Sequence, residues 1–141
     1  MLKKQLLLVV TVVFLTISCA SDDDSRDNYP QNKNISFTVT SSDNNRQSDI
    51  TLAIQGKGID VSDFSSSESH LPFTKDYLNQ TMAFLTTLDI TYRDNSGGGV
   101  GVPFEPYTIK LKISTDSETL TEKEITITES GTTDFVDFTF N

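Results

Sequence analysis

The chain has 141 residues, with 20 Asp and Glu against 11 Lys and Arg, one His, one Cys and no Trp. Its formal charge of −9 and lack of any basic stripe exclude the electrostatic footprint of a nucleic-acid-binding protein. With a single His and a single Cys, it also lacks the usual donors of a zinc hydrolase, which needs three protein ligands.

The N-terminus reads "MLKKQLLLVVTVVFLTISC". Lys3 and Lys4 are followed by an apolar stretch from Leu6 to Ile17, interrupted only by Thr11 and Thr16. A bilayer-spanning helix needs about 20 apolar residues, so this stretch is too short for one. A charged start, a short apolar middle and a small-residue end are the features of a secretory signal peptide, assigned to residues 1–18. Removing it takes Lys3 and Lys4 away and leaves a net charge of −11.

The junction "LTISCASDDDS" places Ser18 directly before Cys19, the only cysteine. This resembles the lipobox of bacterial lipoproteins, with Thr16 where the family usually has a branched apolar residue and Leu15 one place earlier. The resemblance implies cleavage before Cys19, a diacylglyceryl group on its thiol and an acylated N-terminus. An odd cysteine in an exported chain would otherwise be a reactive thiol or an intermolecular partner. Each buried acyl CH₂ contributes roughly 0.8 kcal/mol, so several chains on one residue amount to a permanent anchor.

Residues 19–33, with "ASDDDSRDNYPQNKN" behind the cysteine, have no apolar period and are expected to form a disordered tether. As a coil, residues 20–33 would reach about 20 Å. The run Asp22, Asp23, Asp24 resembles the surface-export signal of outer-membrane lipoproteins of the Bacteroidota type. That resemblance implies an outer-membrane protein facing the cell exterior.

From residue 34 to 141 the dominant signal is period two, the mark of half-buried strands. Ile35, Phe37 and Val39 alternate with polar neighbours, as do Ile50, Leu52 and Ile54. "TMAFLTTLDITYRD" holds Met82, Phe84, Leu88, Ile90 and Tyr92 in one phase, and "PYTIKLKIST" holds Tyr107, Ile109, Leu111 and Ile113. Ile125 and Ile127 follow, with Leu120 out of phase before them, which predicts a bulge or turn. Val136, Phe138 and Phe140 close the chain. Six or seven strands with one apolar face predict an all-β fold, a two-sheet antiparallel sandwich of immunoglobulin-like or transthyretin-like form. A small barrel is the alternative.

Two stretches break the alternation. Residues 56–80 read as a long irregular connection, with one helical turn capped by Thr74 inside "TKDYLNQ". Long connections are usually functional or disordered. Asp60, Asp63, Phe64, His70, Phe73 and Tyr77 concentrate there and form the candidate binding loop. Asn95 to Pro106 is the second irregular stretch, with an edge strand expected around Val100, Val102 and Phe104.

Neither stretch carries a catalytic signature. His70 is the only histidine and sits in a serine-rich run, where nearby hydroxyls and acids mean little. "DVSDFSSSE" lacks the spacing of an EF-hand loop, and "NSGGGVG" is not followed by the Lys of a phosphate loop. No metal and no cofactor is expected. The sequence therefore points to a non-catalytic surface lipoprotein, bound to the membrane through lipid on Cys19, whose sandwich binds a protein or a glycan. A barrel carrier of a small apolar ligand and a pilin-like subunit polymerised by strand exchange are the alternatives.

Overall fold

The structure is a computed structural model that describes residues 25–68, 71–97, 100–116 and 118–141. A 3-10 turn at Ser25–Asn28 leads into eight strands: β1 Gln31–Ser41, β2 Ser48–Gly56, β3 Ile59–Glu68, β4 Phe73–Met82, β5 Thr87–Asp94, β6 Tyr107–Thr115, β7 Glu118–Ile127 and β8 Thr133–Thr139. They form two four-stranded antiparallel sheets, ordered β4-β1-β6-β7 and β3-β2-β5-β8. The sheets stay open and pack face to face, so the fold is a sandwich and not the barrel.

The core comes from the alternation. Ile35, Phe37 and Val39 of β1, Ile50, Leu52 and Ile54 of β2, Leu88, Ile90 and Tyr92 of β5, and Ile109, Leu111 and Ile113 of β6 are all buried. Each such side chain contributes on the order of 1.5–3 kcal/mol by leaving water. Strand β6 is buried at every second residue along its whole length. Leu120 is the extra residue of a bulge, because Ile113 pairs with Thr121 and Ser114 with Thr119.

Several expectations are corrected. The described residues form eight strands, because residues 56–80 hold β3 and β4 where the sequence predicts a long loop, and the "TKDYLNQ" helical turn is strand. Both lie at sheet edges, β3 beside β2 and β4 beside β1. An edge strand needs little apolar surface and is commonly charged against further pairing. In β3 the inward phase accordingly turns from Ile59 and Val61 to Asp63 and Ser65, and in β4 Lys75 interrupts Phe73 and Tyr77. The run from Thr81 to Asp94 breaks at residues 83–86, which turn the chain from one sheet to the other. Residues 102–106 form no strand, as Pro103 and Pro106 remove ladder donors. Ordered structure begins before the expected boundary at 34, since β1 starts at Gln31 and Tyr29 packs on Phe84 and Phe140.

The register assigns each connection to an end. Gln31 pairs with Met82, Ile35 with Thr115, and Thr87 with both Gln55 and Thr139. The turns at 56–59, 83–86 and 115–118 therefore share one end with the N-terminal 3-10 turn and Phe140. The strand ends at 41 and 48, 68 and 73, 94 and 107, and 127 and 133 lie at the other.

Candidate functional site

At one side of the sandwich the edge strands β3 and β4 face each other across the two sheets. The β2–β3 hairpin positions β3, with Gly58 at φ 85° in its turn. That conformation is open to glycine at no steric cost. Period two sends Asp63 inward, opposite Leu52, and Phe64 outward, opposite Thr51. On β4, Phe73, Lys75 and Tyr77 share the phase that faces β3, opposite Val39, Phe37 and Ile35.

Asp63 is the hub of this edge. Its Oδ2 lies 3.1 Å from Lys75 Nζ and accepts a 3.1 Å hydrogen bond from the Tyr77 hydroxyl. The hydrogen bond from Lys75, then that from Tyr77, hold its carboxyl below the usual Asp range. Burial, reinforced by the neighbouring carboxylate, pushes the Tyr77 phenol up to about 12. Tyr77 also packs edge-on against Phe37 at 5.9 Å. This latch joins the sheets without filling the space between them. A groove of about 260 Å³ remains, lined by Ile50, Leu52, Asp63, Phe64, Phe73 and Lys75. Phe64 is 60% exposed at its lip.

Of the sequence candidates, Asp63, Phe73 and Tyr77 are thus brought together, on strands rather than on a loop, while Phe64 borders the groove from the outer face of its strand. Asp60 is exposed and opposite Gln55, on the outer face of its sheet and away from the groove. Cys19, Asp22, Asp23, Asp24 and His70 lie outside the described residues, as does the signal peptide at 1–18.

The outer face of the same sheet holds a feature that the core pattern passes over. Register places Phe64, Thr51, Thr91 and Phe135 in one row across all four strands. With strands about 4.8 Å apart, the ends of the row stand some 14 Å from each other. Phe135 is 55% exposed, and it lies out of phase with Val136, Phe138 and Phe140, a signal legible in "FVDFTF". In the next row Asp89 pairs directly with Asp137. Burial, then the Asp137 charge, raises the Asp89 carboxyl, against a lowering hydrogen bond donated by Thr91.

A buried polar network flanks the second irregular stretch, around Asp94 and Tyr107. Asp94 is 1% exposed and accepts from the Tyr107 hydroxyl at 2.6 Å, from Ser96 Oγ, and from the Gly131 amide at 3.3 Å. Tyr92 and Tyr107 share a 2.7 Å bond between hydroxyls. Burial raises both phenols, and the bond to Asp94 raises Tyr107 further. Arg46 lies over the rings of Phe104 and Tyr107 at 5.2 and 4.8 Å, pairs with Asp43 at 2.8 Å and donates to the Glu105 carbonyl. With its oxygens occupied and shielded, Asp94 is a clamp and not a reacting group. Among the described residues no three His, Cys, Asp or Glu side chains converge to hold a metal.

No protein-family model, curated protein or solved structure matches this chain.

Proposed function

We propose that the protein is a non-catalytic binding module, a β-sandwich held on the exterior face of the outer membrane by lipid on Cys19, that recognises a protein or a glycan. The observation that carries the binding reading is the β3–β4 groove. Phe73 lines it beside Asp63 and Lys75, Phe64 stands exposed at its outer rim, and the Asp63–Lys75–Tyr77 latch spans the edge without filling the space. Aromatic rings beside a few oriented polar groups are what recognition surfaces use. Strand exchange with another copy fits less well, because β3 and β4 carry Asp60, Asp63, Lys75 and Asp76, charges that oppose further pairing at an edge.

The anchor reading rests on "LTISC" and the acidic run behind it. It requires that protease added to intact cells remove the domain, and that Cys19→Ala abolish membrane attachment. The binding reading is tested by placing a photoreactive residue at position 64 and, as a control, at Thr126 on the opposite sheet. A discrete adduct on intact cells at 64 and none at 126 is expected. Equal labelling at both positions, or none at 64, contradicts it.

A further inference from the structure

We propose that the end of the sandwich carrying the N-terminus is a membrane-docking surface that seats the domain on the bilayer holding its anchor. The inference rests on the lipid-anchor reading and adds an orientation to it. The occupant is the headgroup and upper acyl region of the membrane.

The first support is distance. The described residues begin at Ser25, six residues after Cys19. Six residues span at most about 20 Å when extended and about 13 Å as a coil. The sequence had suggested a tether of fourteen residues, enough to hold the domain clear. The shorter connection keeps this end close to the lipid, and a short linker raises the effective concentration of a docking contact to the millimolar range. Weak intrinsic affinity then suffices.

The second support is the surface itself. A cleft of about 600 Å³ opens at this end, lined by Tyr29, Pro30, Ala83, Phe84, Arg26 and Lys57. Its lining is mainly apolar, unlike the polar groove formed by Asp43, Asn45, Arg46, Gln47 and Asn95 at the opposite end. Tyr29 meets Phe84 edge-on at 5.8 Å, and the Arg26 guanidinium lies 5.2 Å over the Phe84 ring. Aromatic rings capped by long cationic side chains suit a membrane–water interface. Asp27, Asp116 and Glu118 outnumber Arg26 and Lys57 at this end, so charge gives no net attraction and apolar contact carries the docking.

The third support is strain. Leu85 has φ 63° and a side chain 59% exposed. A bulky residue in the left-handed region persists only where its surroundings impose it. Here they do. The Leu85 amide donates to the Phe140 carbonyl at 2.7 Å, the Thr86 amide to the Ala83 carbonyl at 3.1 Å, and the Ala83 amide to Thr86 Oγ1 at 3.0 Å. Thr86 is fully buried beneath Gly56, where an added Cβ would overlap it. The turn is thereby fixed with a leucine aimed out of the fold, beside an apolar cleft, at the end where the anchored chain enters. Interfacial binding scales with buried apolar area, which gives this otherwise unfavourable arrangement a use.

The chain contains no tryptophan, so single introduced indoles report cleanly. The full-length precursor is processed in a lipoprotein-exporting host, and the membrane form is reconstituted into phosphatidylethanolamine–phosphatidylglycerol vesicles with and without brominated acyl chains. Leu85→Trp is expected to show blue-shifted emission that bromolipid quenches. Phe104→Trp, at the opposite end, should be insensitive to bromolipid. Phe84→Trp provides a second reporter if Leu85→Trp fails to fold. Protein that floats with the vesicles but shows no bromolipid quenching at 84 or 85, or equal quenching at 104, overturns docking while leaving the anchor intact. Protein that does not float overturns both.

Discussion

The two ends of this sandwich are built from opposite materials. The end that receives the N-terminus has an apolar cleft and a strained, outward leucine. The other closes over a buried carboxylate whose oxygens are satisfied by Tyr107, Ser96 and Gly131. A polar network of that kind fixes the loops of an end that meets water, because each missing partner would leave a buried group unpaired. The N-terminal end shows no comparable buried network among the described residues and leaves apolar surface uncovered. The difference teaches that one end is closed by its own polar network while the other leaves apolar surface uncovered, the surface that the docking proposal assigns to the bilayer.

The largest effect should come from the middle, which sets the scale for both ends. Leu111→Ala removes a fully buried side chain from β6 and should cost about 2–5 kcal/mol in denaturant unfolding. Asp94→Ala comes next. It removes the acceptor that the Tyr107 hydroxyl, Ser96 and the Gly131 amide share and should cost about 1–3 kcal/mol. A loss far below that would show the distal end to be less tightly built than its hydrogen bonds indicate. Leu85→Gly should act in the other direction. Glycine relieves the positive φ and should raise stability in solution by about 1 kcal/mol, while weakening docking. Gain in solution with loss on the membrane is the signature of strain kept for a contact.

The smallest effect belongs to the edge latch, which lies between the ends. The Tyr77 phenol is pushed from 10 to about 12. A raised folded-state value means that its contribution is fully present below pH 10 and is lost as pH climbs towards 12. The alkaline fall in stability should therefore be shallower in Tyr77→Phe over that window. Equal slopes would show that the latch does not persist in solution.

Strands whose inner faces are covered on both sides were legible in the sequence. In the middle of β1, β2, β5 and β6 every second residue is a large apolar side chain, since each is flanked by neighbours and roofed by the other sheet, and polar residues such as Ser48, Asp94 and Thr115 take the inward phase only at strand ends. Strands β3 and β4 were not legible, because an edge allows Asp63, Ser65 and Lys75 to occupy inward positions and so destroys the alternation. The residues gathered at the candidate site were found for a reason that survives this correction. Phe64, Phe73 and Tyr77 are too many aromatics for a polar stretch, and they sit at one sheet edge, Phe73 lining the groove, Tyr77 bonded to Asp63 beside it and Phe64 at its outer rim. Phe135 and the Asp89–Asp137 pair were missed because their significance depends on cross-strand register, which no single strand encodes. The docking surface was equally hidden, as it unites residues near positions 26, 57 and 84 that only the topology brings together.

Amide hydrogen exchange of the lipidated protein in vesicles, compared with Cys19→Ala in solution, addresses the contrast between the ends most directly. Slower exchange is expected at residues 56–58 and 83–86, with residues 95–97 and 100–106 unchanged. Equal slowing at both ends, or none at the anchored end of vesicle-bound protein, would contradict the account.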